Sequence, residues 1–215
     1  MRNVIPFIKR RWDSDVSMDD DQGKTGEGRP VRADAKRNVE ALLKAAAEVF
    51  DESGVDAPVK EIADRAGVGV GTLYRHFPQR PDLIKAIIRK EVDAIADAAE
   101  ALSSSRPPAE ALSMWMQGLV DLAATKRGLA PALHSGDPAY KALPDYVVGR
   151  LAPALRGLLD VAAAAGMVRG DVDAEELLLA GMRVATPASE GDSAQARRMV
   201  ALLVDGLRFG ARMTR

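Results

Sequence analysis

Residues 59–77, VKEIADRAGVGVGTLYRHF, restrict the possible folds more than any other stretch. Val59, Ile62, Ala63 and Ala66 stand at i, i+3, i+4 and i+7, one stripe of a short helix. Gly67-Val68-Gly69 breaks that period, and glycine supplies the positive φ a sharp turn needs. A second period at Val70, Leu73 and Phe77 faces the first. It turns Gly71, Thr72, Tyr74, Arg75 and His76 outward. Two helices with such an outer face predict a helix-turn-helix. An αα-hairpin that only packs would carry the same two stripes, so periodicity alone leaves that alternative open.

The flanks are helical too. A first helix is expected from Asp34 or Asn38 to about Glu52, striped by Val39, Leu42, Leu43, Ala46 and Phe50 and ended by Ser53-Gly54. Lys36 and Arg37 fall in its opening turn, where cations oppose the helix dipole. Phosphate is a candidate partner for them, and plain surface charge is the alternative. Pro58 suits the first position of the second helix. A fourth helix should start at Pro81-Asp82 and run to about Ser103, a fifth should cover 109–125, and prolines and glycines break 128–147. Helical period returns over Val148–Ala165. Two last helices are expected over 174–186 and 194–212, with Asp173 as an N-cap. Period-2 alternation is absent, so the chain is expected to be all-α with about nine helices.

Composition removes several classes of function. There is no cysteine for a disulfide or thiolate metal site. No apolar run reaches the roughly 18 residues of a membrane span, so a cytoplasmic, membrane-free protein is expected. Residues 1–33, with Lys9, Arg10 and Arg11 and five aspartates, read as a solvated, disordered extension. The net charge of −1 hides a basic excess of three over residues 24–90 and an acidic excess of three over 91–215. A mild basic excess around the helix-turn-helix suits phosphate neutralisation. Gly67, Gly69 and Gly71 follow a helix rather than a strand, and the Walker lysine is missing, so a nucleotide fingerprint is not met. His76 and His134, the only histidines, fall in different expected domains, and no nucleophile elbow is present. Neither an enzyme, a metal site nor a cofactor is expected.

The segment EIADRAGVGVGTLYRHFPQRPDLI resembles the N-terminal signature of the TetR family of transcriptional regulators, with E-I-A, A-G-V, G-T-L-Y and H-F in order. The resemblance covers about residues 34–90. It implies a DNA-binding head over 34–80 and an effector-binding and dimerisation domain over 81–215, which begins with a long connecting helix. It further implies a homodimer on a palindromic double-stranded operator, released by a small molecule. Carried over by position, Gly71, Thr72, Tyr74, Arg75 and His76 form the recognition face, with Thr72 and Arg75 toward bases and Tyr74 and His76 toward phosphates. Arg80 takes the place of the customary lysine and would hold a phosphate. Pro58-Val59 and Gly69 depart from the hydroxyl-bearing caps common in the family, and Lys60 is the candidate that compensates.

The family's layout puts effector-pocket walls on the fourth to eighth helices, so Trp115, Met116, Leu119, Leu122, Leu155 and Met182 are candidates, with plain core as the alternative. No cluster of buried charge is visible there, which favours an apolar effector. Leu177, Leu178, Gly181 and Met182, with Met199, Leu202, Leu203 and Leu207, exceed what one small domain must bury and are expected to form the dimer interface. The competing reading of the whole chain is a helical small-molecule carrier or partner-binding module that keeps the head fold without specific DNA binding.

Overall fold

Helix-breaking residues decide where this chain turns. The structure, a computed structural model, describes residues 29–186 and 193–211. The Lys9–Arg11 cluster lies outside the described residues. Helix α1 spans Arg29–Ser53, α2 Val59–Ala66, α3 Val70–His76, α4 Arg80–Ser105 and α5 Pro108–Gly128. After them come α6 Ala130–Leu133, a 3₁₀ turn Pro138–Tyr140, α7 Leu143–Ala164, α8 Ala174–Ala185 and α9 Ser193–Ala211. Nine α-helices and no strand occur among the described residues, as the missing alternation requires.

Two boundaries differ from expectation for one reason. α1 starts at Arg29, ahead of Asp34, so the expected disorder does not extend over 29–33. α7 starts at Leu143 with Pro144 in its first turn, ahead of Val148. A proline there loses no hydrogen bond, because first-turn N–H groups have no helical acceptor. The same residue therefore opens a helix where it was expected to break one. α4 starts on half of a capping box: the Gln79 N–H donates to the Asp82 carboxylate (3.2 Å), while the Asp82 N–H donates to the Gln79 backbone carbonyl (3.0 Å).

The chain divides into two compact units. Among the described residues, one holds 29–88 together with Arg127–Lys141; the other holds Arg89–Lys126 and the residues from Ala142 onward. In the first, α1 packs on α2, with Leu42, Ala46, Val49, Phe50, Ile62, Ala63 and Leu73 almost wholly buried. In the second, α8 packs on both α7 and α9. Trp115 is buried there, and its indole N–H donates to the Ile95 carbonyl at 2.8 Å, which joins α5 to α4. Asp173 caps α8 as expected, accepting from the Glu175 and Glu176 N–H groups.

In the second unit, part of the expected dimer interface is covered by its own chain. Leu177, Leu178 and Leu207 are covered by their own chain, as is Gly181. A Cβ added at Gly181 would stand 2.9 Å from Met116 Cε and from Leu119 Cδ1, so this glycine lets α8 approach α5 of the same chain. These four residues serve the intrachain core. Met199 (41% exposed) and Leu202 (64%) face outward, while Leu203 is half-buried. Phe209, 74% exposed, was not among the expected residues.

Candidate nucleic-acid interface

The turn between α2 and α3 is built by glycine where the backbone demands it. Gly67 closes α2 at φ 69°, in the left-handed region, and the Val68 N–H donates to Ala63 O at 3.0 Å. Gly69, in extended conformation, opens α3, and its carbonyl accepts from Thr72 N (2.9 Å) and Leu73 N (3.3 Å). Neither α2 nor α3 has a side-chain cap at its N-terminus. Leu73 and Phe77 are buried, which holds α3 against the head.

The opposite side of α3 is open. Tyr74 is 51% exposed, Gly71 and Arg75 are exposed, and Thr72 and His76 are half-buried. A Cβ added at Gly71 would meet nothing within 4 Å, so the start of α3 offers bare backbone. A bare stretch, a hydroxyl, a phenol, an imidazole and a guanidinium thus share one short helix. Such groups can donate to phosphate oxygens, and arginine can read guanine O6 and N7 with both arms.

Other expected contacts lie apart from α3. Lys60 is exposed on α2, and Lys36 and Arg37 are exposed on α1, with the Lys36 ammonium 3.6 Å from Glu40. Arg65 meets Glu52 at 2.7 Å and ties the end of α2 to the end of α1.

Arg80 does not stand as a free phosphate contact. Its Nη1 donates to the Val55 carbonyl and its Nη2 to the Ala57 carbonyl (2.8 Å). The guanidinium carbon lies 5.8 Å from the Phe50 ring centroid. The planar fork is turned into the head, onto the loop before α2. Arginine in place of lysine was the available signal, since only arginine carries parallel donors in fixed geometry.

The expected effector-pocket residues sit in the second unit. Trp115, Met116, Leu119 and Leu122 on α5 and Leu155 on α7 are buried, and Met182 on α8 is half-buried. Polar groups that periodicity did not single out occur in the same unit. Burial pushes the Glu91 carboxyl up to about 7, with Lys90 opposing and Asp121 reinforcing the shift. Asp121 accepts from Arg197 at 2.7 Å, and Gln117 donates to the Arg197 carbonyl. Among the described residues no group of three or more His, Asp or Glu side chains could hold a metal ion, and no helix is long and apolar enough to cross a membrane.

Residues 42–87 match the family described as bacterial regulatory proteins, tetR family, and residues 107–209 match the SbtR-like transcriptional regulator C-terminal domain. A crystal structure of a TetR transcriptional regulator from Streptomyces coelicolor is 41% identical, covers 79% of this chain and 98% of that one, and superposes with a TM-score of 0.67. The chain belongs to the TetR family of transcriptional regulators. The resemblance in the head was thus a true sign of the family. An HTH-type transcriptional regulator of Staphylococcus aureus is 41% identical over 64 residues, 29% of this chain and 35% of that protein. Matches to such curated relatives therefore span about a third of their length. The Bacillus subtilis regulator FadR, solved in complex with stearoyl-CoA, shares the TetR fold with this chain at 19% identity and a TM-score of 0.60, covering 79% of this chain and 97% of that one.

Proposed function

We propose that this TetR-family chain is a homodimeric repressor that places α3 in the major groove of a palindromic operator and leaves it when a small effector binds the C-terminal domain. The observation that carries the reading is the outward face of α3, where Gly71, Tyr74 and Arg75 are exposed and Thr72 and His76 half-buried. Thr72 and Arg75 read base edges; Tyr74 and His76 grip phosphates, with Lys36, Arg37 and Lys60 as flanking cations. Dimerisation is supported by a second outward stripe. Met199, Leu202 and Phe209, spaced as one face of α9, are exposed, and Gly206 between them is open for close approach. A two-fold dimer then reads half-sites about 34–36 Å apart.

For the effector, the buried apolar residues of α5 and α7 support an apolar molecule, and the stearoyl-CoA complex of FadR is a precedent within the fold. Trp115, Met116, Leu119, Leu122, Leu155 and Met182 are the proposed walls. α4, which begins in the first unit and ends in the second, carries effector occupancy to the head.

The test is selection of duplexes from a random pool by the full-length protein. The expected product is a palindrome bound about 10³-fold or more above unrelated DNA. Failure to enrich any duplex would contradict the proposal and favour a carrier that keeps the head fold.

A further inference from the structure

In a two-helix reader, the start of α2 sets how α3 is presented. An α-helix begins with N–H groups that need outside partners, and side-chain caps usually supply them and fix the entry angle. Pro58, at the N-cap of α2, has no such side chain, and no side-chain cap forms there. The residue before it is held instead by its carbonyl: Arg80 Nη2 donates to Ala57 O at 2.8 Å, while Nη1 donates to Val55 O. Val55 and Ala57 are buried, and Gly54 at φ 81° starts the loop that carries them. The guanidinium rests over Phe50, a core residue of α1. Asp82 and Tyr140 stand within electrostatic range of the same place. One side chain at the first residue of α4 thus engages the end of α1 and the α1–α2 loop.

We propose that Arg80 is a positioning residue for operator recognition, whose two-armed bond to Val55 O and Ala57 O fixes α2, and through it α3, against the start of α4. It fixes the loop that enters α2, where no side-chain cap forms, and it does so without touching DNA. The inference rests on the operator-binding reading above. It goes further in predicting that a cation at the head's edge contributes to affinity with no counterion released.

That distinction is measurable. A phosphate contact lowers the slope of log K against log salt by about one unit when removed; a positioning residue leaves the slope alone. The experiment compares wild type, Arg80→Ala and Arg80→Lys as full-length protein. Each is titrated on the duplex selected by wild type and on an unrelated duplex across a salt series, with folding monitored by circular dichroism. Both variants are expected to lose about tenfold or more in affinity for the selected duplex, with the salt slope and the unrelated-duplex affinity unchanged. Lysine keeps the charge but lacks the fork, so a phosphate role would leave Arg80→Lys close to wild type. That outcome, a slope lowered by about one in Arg80→Ala, or undiminished specific affinity in both variants overturns the proposal. Should Arg80→Ala not fold, Arg80→Lys decides alone. If wild type selects no duplex at all, it is the operator-binding reading that fails.

Discussion

α3 and α9 each turn one face away from their own core, and the two faces differ in kind. α3 offers a bare glycine, a hydroxyl, a phenol and a guanidinium; α9 offers Met199, Leu202 and Phe209 around an open glycine. Water solvates the first set at little cost and the second poorly, because large apolar groups in one stripe favour burial. The comparison teaches that exposure alone does not name a partner. Polar groups on a short helix above a rigid head suit a charged, patterned surface. An apolar stripe on a long helix suits a second copy of itself.

The largest effect should come from giving α9 the character of a solvated face. Leu202→Asp with Phe209→Asp is expected to convert a dimer to a folded monomer in sedimentation velocity. Operator affinity should fall by about 100-fold or more, equivalent to about 3 kcal/mol. A double variant that stays dimeric would separate α9 from the interface. The contrasting change, Leu178→Asp, should abolish the fold itself, since that side chain is fully buried in its own chain.

The interior of the second unit gives the next effect. Glu91 holds its proton up to about 7 in the folded chain, against 4.5 ordinarily. The unfolded chain therefore ionises first as pH rises. Stability from this group is full below about 4.5 and declines toward 7. Denaturant titrations across that range should show the decline, and Glu91→Gln should remove up to about 3 kcal/mol of it. An unchanged profile would mean that the carboxyl is not held protonated.

Matched glycine changes sharpen the contrast at the smallest scale. Gly71→Ala and Gly206→Ala meet no atom within 4 Å, so each should leave the fold intact or stabilise it by up to about 1 kcal/mol. Yet Gly71→Ala should weaken operator binding without affecting dimerisation, whereas Gly206→Ala should weaken dimerisation and lower operator affinity only through it. Gly181→Ala, crowded by Met116 and Leu119, should lower the melting temperature instead, at a cost of about 1–2 kcal/mol. Equal effects of the first two on both readouts would erase the distinction between the faces.

The head was legible because its stripes are short, separated by Gly67-Val68-Gly69, and followed by a proline-bounded connection. Leu73 and Phe77 could then be separated from Tyr74 and Arg75 by spacing alone. α8 and α9 were less legible. Each carries apolar residues on more than one side, and periodicity does not say which stripe the chain covers itself. Leu177, Leu178, Gly181 and Leu207 accordingly proved internal, while Phe209 escaped notice. Arg80 was less legible for a related reason: a cation at a helix start suits phosphate or a nearby carbonyl equally, and only the folded loop brings Val55 and Ala57 under it.

The face of α3 bears the central claim, and Arg75→Ala tests it most directly. Binding of wild type and variant to the wild-type-selected duplex, and to duplexes altered one base pair at a time, should be measured by fluorescence anisotropy at fixed salt. The account predicts a loss of about 10- to 100-fold with relaxed preference at one position in each half-site. Affinity and base preference indistinguishable from wild type would contradict it.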